Sequence, residues 1–272
     1  MQKYSVLMAV YKKDNPEYFA IALDSMIHQT VPPDEIVIVK DGPITEELQA
    51  VIDERKGGLV DIGEVALEQN QGLGPALDAG LRACRNELVA RMDSDDVSIP
   101  NRCEKQVAYM QENPSVAVLG GQIEEFVGEE KHIVGKRCVP LINDEIKNYM
   151  QTRCPFNHVT VMLRKSKIVR EGGYLPWFFN EDYYLWIRLH LAGMCFANLR
   201  ETLVYVRVGK DMYQRRGGLR YFQSELGIQR LMLGRGLIGY GRFGVNVLER
   251  FILQVLMPNW LRGIVFRRLA RE

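Results

Sequence analysis

Four short apolar runs, each closed by a turn holding Lys, Asp, Asn or Gly, constrain the fold of this chain more than any other feature. They are Tyr4–Val10, Glu35–Lys40, Val60–Leu67 and Glu87–Met92. Their hydrophobicity is largely continuous rather than alternating, which is the pattern of strands buried on both faces. Between them, Pro16–Gln29, Thr45–Lys56 and Gly74–Cys84 have helical periodicity. Asn15 precedes a first-turn proline, and Thr45 precedes two glutamates that suit the positive end of a helix dipole. This β-α-β-α order predicts a parallel sheet covered by helices on both faces. In such sheets ligands bind at the carboxyl ends of the strands. Val10-Tyr11-Lys12, Asp41, Asn70–Gly74 and Asp93–Asp95 would then share one rim.

The fourth run ends in Asp93, Asp95 and Asp96. Carboxylates gathered at a strand end repel one another, so the site calls for a positive partner. Mg²⁺ or Mn²⁺ fits, because both take oxygen ligands and leave positions for phosphates. An acidic surface turn would give the same residues. Two other readings of the rim fail on spacing. A dinucleotide-binding domain needs G-x-G-x-x-G after its first strand, and Val10-Tyr11-Lys12-Lys13-Asp14 has no glycine. An EF-hand starting at Asp93 needs glycine at its sixth position, where Ser98 stands, and its twelfth position, Glu104, falls within the helix expected over Asn101–Asn113.

At 272 residues, 47% hydrophobic, the chain can bury one large core or two packed halves without crosslinks. A net charge of +1 provides no global attraction for nucleic acid. Five scattered cysteines without a C-x-x-C pair suit reduced thiols of a cytosolic protein. Strand-like Ser5–Val10 follows Met1 too closely for a signal peptide, and no apolar run reaches membrane-spanning length.

In the second half the expected elements are a helix over Asn101–Asn113, a strand over Val116–Glu125 and a hairpin or loop over Gly128–Lys136. A helix over Leu141–Gln151 and a strand over His158–Leu163 follow, then an amphipathic helix entered at Glu181-Asp182 and a helix over Arg220–Leu233. Gly234–Gly244 is the best hinge candidate, and Val245–Met257 is strongly apolar. Trp260–Leu269 mixes Trp260, Ile264, Val265 and Phe266 with Arg262, Arg267 and Arg268, which suits a helix lying on an anionic membrane. Packing on the chain's own domain or on a second subunit would produce the same pattern.

Several stretches in order resemble one family: Ser5–Tyr11, Gln29-Thr30-x-Pro32-Pro33-Asp34-Glu35-Ile36-Val37 and Val39-Lys40-Asp41-Gly42-Pro43. Asn70-Gln71-Gly72-Leu73-Gly74, Ala90-Arg91-Met92-Asp93-x-Asp95-Asp96, Pro155-Phe156-Asn157-His158 and Glu181-Asp182-Tyr183-Tyr184-Leu185-Trp186 continue the match. The chain is thereby similar to family 2 glycosyltransferases of the GT-A fold, in the branch with amylovoran-type exopolysaccharide and O-antigen enzymes. The resemblance implies an α/β, Rossmann-like, mostly parallel sheet flanked by helices, with a helical C-terminal tail. It divides the chain into a catalytic domain (1–210, with a nucleotide-sugar half 1–113 and an acceptor half 114–210) and a tail (211–272).

The same resemblance assigns roles. Val10, Tyr11 and Asp41 would hold base and ribose, with Asp41 accepting a hydrogen bond from a uracil N–H. Asn70, Gly72 and Gly74 would let the next helix approach the nucleotide. Arg91, Asp93, Ser94 and Asp95 would face the diphosphate through Mn²⁺ or Mg²⁺, with Asp95 first among the metal ligands and Asp93 and His158 as further ones. Asp96 would accept from backbone N–H groups of the turn that follows it. Asp182 would be the general base and Glu181 would orient the acceptor, although Asp182 also reads as first-turn helix chemistry. Arg215 and Arg216, on a glycine-flanked loop, would close over the diphosphate. The activity implied is inverting transfer of a hexosyl unit from a UDP-sugar to a polyprenyl-diphosphate-linked glycan, at the cytoplasmic face of a bacterial membrane. Its rivals are a sugar nucleotidyltransferase and a silent nucleotide-sugar-binding subunit.

Overall fold

A computed structural model describes residues 2–128, 130–209 and 217–257. The first half follows the expected order: β1 (Tyr4–Val10), α1 (Pro16–Ile27), β2 (Glu35–Lys40), α2 (Glu46–Asp53), β3 (Asp61–Ala66), α3 (Leu73–Ala83) and β4 (Leu88–Met92). Asn15 Oδ1 accepts from the backbone N–H groups of Glu17 and Tyr18, and Thr45 caps α2 through the N–H of Leu48. β3, β2, β1 and β4 lie side by side and parallel, with Val10 opposite Lys40, Lys40 opposite Ala66 and Met8 opposite Met92. Their carboxyl ends therefore form one edge.

The second half contributes β5 (Val97–Ser98), α4 (Arg102–Glu112), β6 (Val116–Phe126), β7 (Ile133–Arg137), α5 (Asn143–Met150) and β8 (Met162–Arg164). It continues with α6 (Lys165–Arg170), α7 (Glu181–Leu191), β9 (Cys195–Arg207), α8 (Leu219–Gly234) and α9 (Tyr240–Phe251). The sheet grows beyond β4 in the order β8-β6-β9-β5, with β7 paired to β6 as a hairpin. β4–β8, β8–β6 and β9–β5 are antiparallel while β6–β9 is parallel, so the sheet is mostly parallel by paired residues, as expected, and mixed in its second half. Short β8 and β5 can join antiparallel because neither needs a helical crossover.

Two expectations are corrected. His158–Thr160 is a single 3₁₀ turn, and only Met162–Arg164 is extended. The turn is closed by Thr160, whose N–H and Oγ1 both donate to the carbonyl of Asn157. The glycine-rich 234–244 stretch is no free hinge. Ile238 is buried in it, and Gly241 and Gly244 lie inside α9.

Alternate residues of each inner strand enter opposite cores, as the two-residue strand period requires. Val6, Met8, Ile36 and Ile38 face α1, α2 and α4, against Phe19, Leu23, Ile52 and Val107. Leu7, Val37, Val39 and Val89 face α3 and α7, against Leu77, Leu81, Leu185 and Trp186. Each such side chain contributes about 1.5–3 kcal/mol on burial. Helix α3 lies so close to the sheet that any side chain at Gly80 would meet Leu7 and Val39. Helix α8 buries Ile228 and Met232 in the second core and so docks on the catalytic body. Among the described residues no helix is long and apolar enough to cross a membrane.

Candidate active site

The rim expected from the strand order is present, and its residues are cross-braced. Asp41, buried at the end of β2, takes three donors from the 70–72 turn. Asn70 Nδ2 lies 2.9 Å and the Gly72 N–H 3.0 Å from Oδ2, and the Gln71 N–H lies 2.7 Å from Oδ1. A carboxylate has about four acceptor sites, so Asp41 is first an anchor for this turn, with limited capacity left for a base. Gly42 explains how the two turns pack: its φ is +81°, and a Cβ there would stand 2.6 Å from the Asn70 nitrogen. The Tyr11 N–H donates to Asp14 Oδ2 at 3.0 Å, and Ser94 Oγ donates to the same oxygen at 3.0 Å. Asp14 thus ties the turn after β1 to the acidic turn after β4. No spacing signal in the sequence marked Asp14.

Arg91 and Asp93 form a two-pronged ion pair, Nη1 and Nη2 each on one carboxylate oxygen. Arg91 is 2% exposed, and its Nε is buried without a hydrogen-bond partner. The pair neutralises Asp93 and leaves Asp95 as the carboxylate with uncompensated charge. Asp95 is exposed to solvent. Even so, the surrounding protein, then Asp93 and Asp14, push its carboxyl up to about 6. Asp96 is fully enclosed and is raised well above the usual carboxylate range by burial and by Asp95.

Asp96 does not bond to the turn that follows it. Its Oδ1 accepts from the backbone N–H of Arg207, 2.8 Å away at the end of β9. The Arg207 side chain donates to the carbonyls of Asp95 (3.1 Å) and Gly128 (2.8 Å), and its guanidinium stacks 3.9 Å from the Tyr18 ring centre. Beneath β4, fully buried Arg102 donates to the Arg91 carbonyl at 2.7 Å. Neither arginine belonged to a recognisable motif; only the return of β9 beside β6 brings Arg207 to this turn.

Glu181 and Asp182 occupy the first turn of α7. Asp182 Oδ1 accepts from the Tyr183 N–H at 2.7 Å, and Oδ2 accepts from the Cys154 thiol at 3.4 Å. Glu181 packs on the start of α3: a Cβ at Gly74 would lie 3.2 Å from Glu181 Cβ. Gly74 therefore makes room for Glu181. Gly72 meets the expected backbone need, with φ +91° at the N-terminus of α3. Burial and then Asp182 push the Glu181 carboxyl up to about 7, with Arg91 opposing and Asp93 adding.

Tyr174 joins the two halves of the site. It is buried, its backbone N–H donates to Asp78 Oδ1 on α3 at 3.1 Å, and burial, the largest cause, raises the pKa of its hydroxyl. His158 Nε2 sits 2.8 Å from the Tyr174 hydroxyl, with its ring edge-on to Trp186. Burial, then Arg91, depresses the His158 pKa, which favours neutral imidazole. His158 does not join Asp93 and Asp95 in a ligand cluster: no three His, Cys, Asp or Glu side chains form a metal-holding group among the described residues. Arg215 and Arg216, and the Trp260–Leu269 segment, lie outside the described residues.

The donor set fits a hard divalent cation that takes one or two carboxylates and completes its shell with phosphate oxygens. Asp95 supplies the exposed oxygens. Behind them the Arg91–Asp93 pair is internally neutral. Phe179, just before α7, has a φ of +55°, a left-handed conformation costing about 1–3 kcal/mol for such a residue. It holds an exposed aromatic ring beside the carboxylate pair.

Comparison with known proteins agrees with this geometry. The family model "Glycosyl transferase family 2" matches residues 5–173. The amylovoran biosynthesis glycosyltransferase AmsE of Erwinia amylovora is 40% identical over 255 residues, covering 94% of each chain. The UDP-Gal:alpha-D-GlcNAc-diphosphoundecaprenol beta-1,3-galactosyltransferase of Escherichia coli is 39% identical over 272 residues, covering 99% of this chain and 97% of that one. Among solved structures, the mannosyltransferase PcManGT of Pyrobaculum calidifontis, in complex with GDP-Man and Mn²⁺, superposes with a TM-score of 0.66 at 13% identity. That match covers 99% of this chain and 76% of that one, and it speaks for the fold. The mixed sheet, the acidic rim and the carboxylate pair on α7 are thus features of a chain that belongs to glycosyl transferase family 2.

Proposed function

We propose that this chain is an inverting, metal-dependent hexosyltransferase. It moves a sugar from UDP to a polyprenyl-diphosphate-linked glycan, at the cytoplasmic membrane face, in surface-polysaccharide synthesis. The single observation that carries the reading is that Glu181, beside Asp182 in the first turn of α7, packs on Gly74 at the start of α3, whose entry turn is anchored on Asp41 at the strand-end rim that also holds Asp93 and Asp95. A leaving diphosphate and an attacking hydroxyl need such groups on opposite faces of one sugar. The relatives from Erwinia amylovora and Escherichia coli support the acceptor class by their names.

Asp182 takes the proton of the acceptor hydroxyl as that oxygen attacks the anomeric carbon. The bond from that carbon to the UDP oxygen breaks, and the configuration inverts. Glu181 orients the acceptor, and the Asp41-braced 70–72 turn and Tyr11 border the nucleoside. Asp95, backed by Asp93 and Arg91, would hold Mn²⁺ or Mg²⁺. Such an ion, when bound, would take up the negative charge that develops on the departing diphosphate oxygen, as a Lewis acid.

A thermal-shift series with UDP, UDP-Glc, UDP-Gal and UDP-GlcNAc, with and without Mn²⁺, tests the donor. It should show a Mn²⁺-dependent rise in Tm that Asp95→Ala removes. Turnover with a polyprenyl-diphosphate GlcNAc acceptor should release UDP. Release of pyrophosphate would make the enzyme a nucleotidyltransferase instead.

A further inference from the structure

Helix α9 is built inside out. Asn246, Arg250 and Gln254, spaced one turn apart on α9 and its continuation, face the protein and are buried. Asn246 Nδ2 donates to the Gln151 carbonyl and to Gln229 Oε1, each at 2.8 Å. Arg250 donates to Glu225 Oε2 at 2.7 Å and to the Thr152 carbonyl at 2.6 Å. The outer face carries Val245, Leu248, Ile252 and Leu256, exposed by 61, 60, 43 and 62%. A helix bathed in water shows the reverse arrangement, so these aliphatic residues are dressed for an apolar neighbour.

The apolar face continues to the active site. Phe251 packs 5.4 Å from Phe222, Tyr221 lies 6.3 Å from Phe179, and Phe179 lies 4.5 Å from Phe178. Exposed Leu219 opens α8 beside them. Phe178 and Phe179 belong to the loop that leads directly into Glu181 and Asp182.

Charge distribution identifies the occupant. Residues 210–272 hold twelve Arg and Lys against four Asp and Glu, whereas residues 1–209 hold twenty-three against thirty. Among the described residues of α8, α9 and their connection, Arg220, Arg230, Arg235 and Arg242 are exposed against Glu249 alone, so the elements that carry the exposed apolar face are basic. A second copy docking by the same patch would set two basic ends against each other. An anionic lipid surface accepts both the basic residues and the aliphatic ones.

We propose that α9, Leu219 and the Phe178–Phe179 loop seat the protein on an anionic phospholipid bilayer. The seat places Asp182 at the headgroup level, where the diphosphate of a lipid-linked acceptor stands. The second part rests on the functional reading above; the first does not.

The test is flotation of the full chain with phosphatidylglycerol–phosphatidylethanolamine vesicles and with phosphatidylcholine vesicles. The unmodified protein should float at least tenfold better with the anionic set. The Leu248→Gln/Ile252→Gln variant should lose that partition at least tenfold while keeping its UDP-sugar thermal shift. Its turnover of a short-chain soluble acceptor should match that of the unmodified chain, and turnover of a long-chain acceptor in vesicles should fall. Undiminished flotation of the variant overturns the proposal. So does an unmodified protein that ignores vesicles and forms a dimer which the variant splits in light scattering. Flotation lost in the variant, with no lipid-linked acceptor turned over by either protein, upholds the seat and rejects the acceptor reading.

Discussion

The Cys154 thiol donates to Oδ2 of Asp182 across 3.4 Å, while the N–H of the next residue in the helix donates to the other carboxylate oxygen. Asp182 is therefore held at both oxygens before any substrate arrives. Asp182→Asn should lower kcat at least about 10²-fold, the usual range for a lost general base, with the donor Kd unchanged in calorimetry. Cys154→Ala removes one hydrogen bond of about 1 kcal/mol, so kcat should fall about fivefold at constant donor KM. Cys154→Ser should recover most of it. Equal loss in both Cys154 variants would reject the positioning role.

The Arg91–Asp93 pair should matter to stability as well as to donor binding. Arg91→Met leaves the Asp93 carboxylate beside Asp95 without its partner. Breaking a buried pair costs about 3–5 kcal/mol, and the partial exposure of Asp93 (34%) lowers this to about 2–3 kcal/mol. A urea denaturation midpoint shift at constant slope checks the value. Asp93→Asn/Arg91→Met should be milder than Arg91→Met alone, because no unpaired charge remains.

Glu181 should make stability depend on pH. Its carboxyl is raised from 4.5 to about 7, so the folded state binds that proton more tightly than the unfolded chain. The resulting stabilisation is fully present below the unfolded value of 4.5 and is lost as pH climbs to about 7. Glu181→Gln should remove this slope and stabilise the protein at pH 8, by on the order of 1 kcal/mol after solvent screening. Melting temperatures of both proteins between pH 5 and 8 provide the comparison. Parallel curves would show that Glu181 does not titrate in this window.

Gly80→Ala should be destabilising by about 1–3 kcal/mol, as for an overpacked core. The added methyl would meet Leu7 and Val39 and push α3 off the sheet. Since α3 also seats Glu181 through Gly74, the acceptor KM should rise with the stability loss. Gly63→Ala, where nothing lies within 4 Å of the added atom, is the control and should leave both unchanged.

Strand order and the acidic rim were legible because they depend on local patterns. Continuous apolar runs in Tyr4–Val10 and Glu35–Lys40 could only be buried on both faces, and Asn15 and Thr45 cap their helices through atoms two or three residues away. The resemblance at Glu181-Asp182 marked the carboxylate pair in the same way. What failed in the sequence was long-range. His158 reads as part of a β-branched strand, yet Thr160 closes a turn there and Tyr174 takes the imidazole.

Sequence alone therefore determined the parallel half of the sheet, the edge on which its motifs stand and the family to which they belong, because covalent spacing dictates which groups share a strand end. Tertiary structure decided which charges compensate each other. Arg91 silences Asp93 and leaves Asp95 exposed; Asp41 is spent on the 70–72 turn; Arg207 arrives from 111 residues away to bind Asp96. It also decided which side of α9 faces inward. A helical pattern shows that two faces differ, but only the partners available, here Glu225, Gln229 and the carbonyls of Gln151 and Thr152, make the polar face the buried one.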